Sequence, residues 1–138
     1  MVVVMKKIKK GFTLIELIIT SLVLAIIAML AIPSFSNMLA KQKLNSDIRS
    51  LSGALTQSRG QAVFLRKDVQ INFTEGANTD TQYYWSINPQ NTIISPSTLS
   101  SLTFKKDGAL SAVAADIDIK LCNSKIGVTK NLILTKSG

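Results

Sequence analysis

The sequence predicts an α+β fold: a long N-terminal helix, transmembrane in its first half and amphipathic in its second, packed on a small antiparallel β-sheet. Three observations carry this reading. The 21 residues from Phe12 to Ile32 include 17 apolar ones. An apolar stripe at helical spacing then continues to about Arg66. Beyond it the hydrophobic period changes to two, as in half-buried strands.

Composition bounds what such a chain does. Its 138 residues suit one small domain plus an appendage. There is no histidine, which excludes a His-based triad, a His-ligated metal and an imidazole proton shuttle. A single cysteine, Cys122, excludes an intrachain disulfide, a paired-cysteine redox motif and a thiolate metal cage. The 16 Lys and Arg against 8 Asp and Glu give a net charge of +8, of which Lys6, Lys7, Lys9 and Lys10 supply half.

The apolar run comes first. At about 1.5 Å per residue it spans roughly 31 Å, the thickness of a bilayer core. Thirteen of its residues are Leu, Ile, Val or Phe. At about −0.3 to −0.6 kcal/mol each, they outweigh one carboxylate at about +3 kcal/mol, so the segment inserts. The lysine cluster before it holds the N-terminus in the cytoplasm and sends the rest of the chain to the other side. A removable secretory signal fits less well. The run exceeds the usual apolar length of such signals, and Ala25, Ala28 and Ala31 are spaced three apart rather than two.

Glu16 is the anomaly in this run. A carboxylate there calls for a functional reason and a partner, and a short Glu reaches the interface less readily than Lys or Arg. If the chain is cut before Phe12, a new α-amino group lies four residues away. The helix N-terminus also favours negative charge. Pairing Glu16 with the amine of a neighbouring subunit removes two costly unpaired charges and fixes axial register.

The run Lys9-Lys10-Gly11-Phe12-Thr13-Leu14-Ile15-Glu16-Leu17, with its apolar continuation and Pro33, resembles the class III signal of type IV pilins and pseudopilins. The resemblance implies a type IV pilin-like fold, cleavage by prepilin peptidase between Gly11 and Phe12, and N-methylation of Phe12. It further implies storage in the bacterial inner membrane and extraction into a helical filament with other pilin or pseudopilin subunits. The corresponding division is a leader peptide at 1–11, a transmembrane helix at 12–32, an amphipathic continuation at 33–66 and a periplasmic β-rich domain at 67–138. Met1 and Met5 both serve as possible starts.

Past the membrane, Pro33 removes a helical hydrogen bond and is expected to kink or locally melt the helix. Leu44, Ile48, Leu51, Leu55 and Ala62 recur at +4, +3, +4 and +7, one face of a helix that a sheet must cover. Phe35, Met38 and Leu39 point to roughly the opposite side, toward neighbouring subunits or the membrane surface. Gly53 and Gly60 each cost the helix about 1 kcal/mol against Ala. Either they admit a close backbone approach or they are tolerated on the surface.

Alternation begins with Val69, Ile71 and Phe73 and returns at Tyr83, Trp85 and Ile87. The intervening TEGANTDT predicts a hairpin loop. Residues 88–101, with Pro89 and Pro96, read as a surface loop. Leu102 to Lys106 reads as a strand ending at an Asp107-Gly108 turn. Ile117, Ile119 and Leu121 mark another strand, and residues 131–135 a last short one. Four to six antiparallel strands against one helix complete the expected domain.

A looser likeness lies in Asp47-Ile48-Arg49, in Gln57-Ser58-Arg59-Gly60-Gln61-Ala62-Val63, in the Lys106-Asp107-Gly108 turn and in Ile119-x-Leu121-Cys122. These segments resemble the GspH/FimT family of minor pilins and pseudopilins. The likeness implies a subunit at or near the tip of a type II secretion pseudopilus or type IV pilus, priming or capping the filament and so supporting protein secretion or pilus biogenesis. Some pilus members bind DNA in natural transformation through a basic tail after a Ser-Gly. This chain stops at Ser137-Gly138.

No enzyme chemistry emerges, and no catalytic, cofactor-binding or metal-ligating set. Asp116 and Asp118 share a strand face but read as solvated charges. The serines have no His or positioned Lys to activate them. Cys122 reads as a small core residue. Nucleic acid is the binding alternative. From Ser34 on there are 12 Lys and Arg against 7 Asp and Glu. The doublets Arg66-Lys67 and Lys105-Lys106 are candidate DNA contacts, with Tyr83, Tyr84 and Trp85 as possible stacking partners.

Overall fold

A computed structural model describes residues 11–111 and 115–136. Lys6, Lys7, Lys9 and Lys10 and the terminal Ser137-Gly138 lie outside the described residues. Helix α1 runs from Leu14 to Leu65, 52 residues. It is helical straight through Pro33, so the backbone there is not melted. Six strands follow: β1 (Val69–Asn72), β2 (Gln82–Tyr84), β3 (Asn91–Ser95), β4 (Ser101–Phe104), β5 (Ile117–Asn123) and β6 (Val128–Leu134). The chain divides into two units, Met1–Ser36 and Asn37–Gly138.

In the second unit, the predicted stripe is the helix's contribution to the core. Leu44, Leu51, Leu55 and Ala62 are buried and Ile48 is half-buried. Ala40 and Ser58 extend the same face. The strands contribute alternate residues, as their pleat requires. These are Val69 and Ile71 from β1, Leu102 and Phe104 from β4, and Ile119 and Leu121 from β5. One contiguous apolar cluster results.

The strands form two three-stranded sheets, ordered β2-β1-β4 and β3-β5-β6, rather than a single one. Three of the four strand pairings are antiparallel. The exception overturns the expected hairpin: β1 and β2 are parallel, with Ile71 opposite Tyr83. The chain reverses twice between them. Its second reversal is a tight turn in which Thr79 N–H donates to the Gln82 carbonyl (2.8 Å) and Gln82 N–H donates to Thr79 Oγ1 (3.1 Å). Asn78 Oδ1 then accepts from Tyr84 N–H at 2.8 Å, so the loop satisfies part of the edge of β2. The Tyr84 ring lies where a side chain at Gly76 would have to sit.

The expected loop at 88–101 contains β3. Pro89 and Pro96 fall just outside its ends, where a missing N–H interrupts no ladder. The Asp107-Gly108 turn forms as predicted: Gly108 N–H donates to the Lys105 carbonyl, and Gly108 has φ of +82°. Cys122 corrects another expectation. It is half-buried, on the β5 face opposite Ile119, Leu121 and Asn123.

Candidate functional site

Gly11, Phe12 and Thr13 precede the first helical turn and have no regular secondary structure. All three are exposed, Phe12 at 85%. A side chain at Gly11 would meet nothing within 4 Å, so the chain's own packing does not demand glycine there. The Gly11–Phe12 bond therefore lies in accessible, non-helical backbone, the state a peptidase cuts.

Thr13 is the helix cap. Its Oγ1 accepts from Glu16 N–H at 3.2 Å, and its carbonyl accepts from Leu17 N–H at 3.2 Å. With Leu14 the first helical residue, Glu16 stands at the third helical position. Thr-x-x-Glu is the sequence pattern of a capping box. That pattern was readable in Thr13-Leu14-Ile15-Glu16, and charge reasoning on Glu16 alone passed over it. The carboxylate also lies at the positive end of the helix dipole. Glu16 forms no ion pair among the described residues.

From Leu14 to Ile32 the large apolar side chains are exposed all round the helix. None of the most apolar stretch of the helix is buried within the chain. By length and composition the helix is able to cross a bilayer.

Residues 6–32 match the prokaryotic N-terminal methylation motif. The motif supports a type IV pilin-like subunit of a pilus or pseudopilus, a structural part of a filament rather than an enzyme. It implies in general terms processing by prepilin peptidase and association with other pilin subunits. With the apolar helix it fits a single-pass protein anchored in the inner membrane. No curated protein and no solved structure matches the chain.

Elsewhere the candidate chemistry disperses. Asp116 Oδ1 accepts from Lys136 N–H at 2.9 Å, while Asp118 pairs with Lys120 at 3.2 Å. The two carboxylates thus serve separate contacts. Among the described residues no group of His, Cys, Asp and Glu side chains is placed to hold a metal. A groove between α1 and β6 is lined by Ser52, Leu55, Thr56, Arg59, Phe104 and residues 132–134, with Arg59 its one ionisable group.

The proposed stacking aromatics are mostly interior. Tyr83 and Trp85 are buried. Trp85 Nε1 donates to Ser50 Oγ at 2.9 Å, and its ring meets Phe73 edge-on at 6.1 Å. Tyr84 is half-buried and donates its hydroxyl to Gln82 Oε1. The basic doublets fare differently. Val69 pairs with Phe104 across β1 and β4, which sets Arg66-Lys67 beside Lys105-Lys106. Lys106 N–H donates to Asp68 Oδ1 at 3.1 Å across the same junction. All four cations are exposed. Next to them Phe64 is 81% exposed and Val63 49%. Sequence reasoning missed this pair because it follows the core stripe without belonging to it.

Proposed function

We propose that this chain is a minor pilin or pseudopilin of the GspH/FimT kind, a structural subunit that helps prime or cap a type II secretion pseudopilus or type IV pilus. Prepilin peptidase cuts between Gly11 and Phe12, and Phe12 is N-methylated. The N-terminus faces the cytoplasm and residues 67–138 the periplasm. Glu16 pairs with the N-terminal amine of a neighbouring subunit during extraction from the membrane, and Pro33 supplies a helix kink. The observation that carries this reading is the methylation motif at residues 6–32, whose Gly11–Phe12 bond is exposed and non-helical directly before a lipid-length helix.

The test has two parts. Mass spectrometry of the protein from cells is expected to find a mature N-terminus at Phe12 bearing one methyl group. Glu16→Ala and Glu16→Gln are both expected to insert in the membrane yet fail to enter filaments. Glu16→Gln keeps a side chain able to close the capping box while removing the charge. Assembly by the Gln variant would reduce Glu16 to a helix cap, and a protein still beginning at its initiator Met would remove the reading altogether. A nucleic-acid role has less support, because Tyr83 and Trp85 are core residues.

A further inference from the structure

The C-terminal end of α1 has features that neither the core nor the membrane explains. Phe64 is the one exposed aromatic side chain among the described residues from Asn37 on. Val63 adjoins it in sequence, also exposed. Arg66 and Lys67 follow them in the chain, and the β1–β4 pairing brings Lys105 and Lys106 beside that doublet. None of the four forms an ion pair among the described residues. The nearby acids are turned to backbone: Asp68 Oδ1 accepts from Lys106 N–H, and Asp107 Oδ1 from Ala109 N–H. Four exposed cations against two exposed carboxylates, Asp68 and Asp107, leave this surface net positive next to an apolar anchor.

A second, independent observation concerns Arg66. The helix ends in a Schellman turn, in which Lys67 N–H donates to the Ala62 carbonyl at 3.2 Å. Arg66 occupies the left-handed position of that turn, at φ of 52°. Glycine is the usual residue there, because it takes this conformation without strain. Arginine in its place gives up stability for a side chain, and strain of this kind gathers at functional positions.

The geometry points to a docking surface for another protein, one that presents an acidic face with an apolar recess for Phe64. Charge complementarity selects the partner. A second copy of this chain brings the same net positive surface and is disfavoured. Single-stranded nucleic acid satisfies the cations, but it binds by stacking successive bases on successive aromatics, and only Phe64 is offered. A protruding aromatic beside Arg, rimmed by charge, is the makeup of a protein-binding hot spot. The surface belongs to the second unit alone, so its binding can be measured whether or not the N-terminal helix assembles.

The experiment uses the full chain in neutral detergent micelles and fluorescence polarisation with three probes. These are a labelled peptide alternating Glu and Leu, the same peptide with Ser for Leu, and a single-stranded oligothymidylate. The Glu–Leu peptide is expected to bind best, and more weakly as salt is raised. Its affinity is expected to fall about tenfold with Phe64→Ser and about fivefold with Lys105→Ser/Lys106→Ser. Arg66→Gly is expected to weaken binding while raising the melting temperature, the signature of a residue kept for contact rather than stability. Three results would overturn the assignment: preferred binding of the oligothymidylate with the same Phe64 dependence, no preference for Leu over Ser in the peptide, or affinities that the three variants leave unchanged.

Discussion

Asp47 begins a chain of hydrogen bonds that ties α1 to the β3-β5-β6 sheet. Its Oδ2 accepts from Asn91 Nδ2 at 2.7 Å and from Asn88 N–H at 3.1 Å. Asn91 Oδ1 accepts in turn from Asn123 Nδ2 at 2.6 Å, and Asn123 Oδ1 accepts from the N–H groups of Lys125 and Ile126. Asn91 and Asn123 are buried, so each bond replaces one that water would have made. Truncating the middle member leaves the buried Asn123 Nδ2 without its acceptor and Asp47 with one bond fewer. Asn91→Ala is expected to destabilise the domain by about 2–3 kcal/mol. The exposed Asn131→Ala should stay within about 0.5 kcal/mol of wild type. Thermal unfolding followed by the fluorescence of Trp85, which also bonds to α1 through Ser50, separates the two outcomes. Equal melting temperatures would show that the network carries no stability.

At the scale of the element, α1 is one helix with two kinds of surface. Up to Ser36 it exposes apolar residues on every side, while from Asn37 on it buries a single stripe. The two glycines in the second part clarify how that stripe is bounded. A side chain at Gly53 or Gly60 would meet nothing within 4 Å, and both residues are exposed. They do not serve a close approach inside this chain. Gly53→Ala and Gly60→Ala should therefore each stabilise the helix by about 0.5–1 kcal/mol. Urea denaturation measures this directly, and a loss of stability would mean that the added methyl groups do meet a neighbour. The Asp107-Gly108 turn is different. A side chain at Gly108 would come within 3.1 Å of Val63 Cγ2 and 3.2 Å of Arg59 Nε, at a backbone φ of +82°. Here the backbone conformation favours glycine, and a side chain would also press on Val63 and Arg59.

For the molecule as a whole, residues of one type have opposite fates. Phe104 is fully buried where the helix stripe meets the first sheet, whereas Phe64 is 81% exposed at the end of the same helix. Phe104→Ala opens a cavity in the only large core among the described residues and is expected to cost about 3–5 kcal/mol. Phe64→Ala removes little buried surface and should change stability by less than about 0.5 kcal/mol. Differential scanning calorimetry of the two variants tests the division. If Phe64→Ala lowered the melting temperature as far as Phe104→Ala, the end of α1 would belong to the core rather than to a binding surface.

The local features were legible in the sequence because each rests on neighbouring residues. Hydrophobic length, the stripe from Leu44 to Ala62, the alternation in β1 and β5, and the Asp107-Gly108 turn follow from helix and strand periods and turn chemistry. The Thr13 cap, with Glu16 in the capping-box pattern, was equally local, though the charge of Glu16 drew the reading away from it. Contacts distant in the chain were decided only in three dimensions. The parallel β1–β2 pairing depends on a second reversal at Thr79–Gln82, which the composition of the loop does not distinguish from a hairpin. β3 lies between prolines that punctuate its ends without entering its ladder. Tyr83 and Trp85 are core residues because α1 covers them, and no periodicity states which face a helix will cover.

By itself the sequence determined the membrane-length helix, the methylation motif and the α+β class, since apolar length, a short linear motif and hydrophobic period are all properties of contiguous residues. The tertiary structure alone decided that doublets 39 positions apart in sequence (Arg66 and Lys105) lie side by side. The reason is that strand register, set by long-range pairing of β1 with β4, places side chains that no local pattern relates.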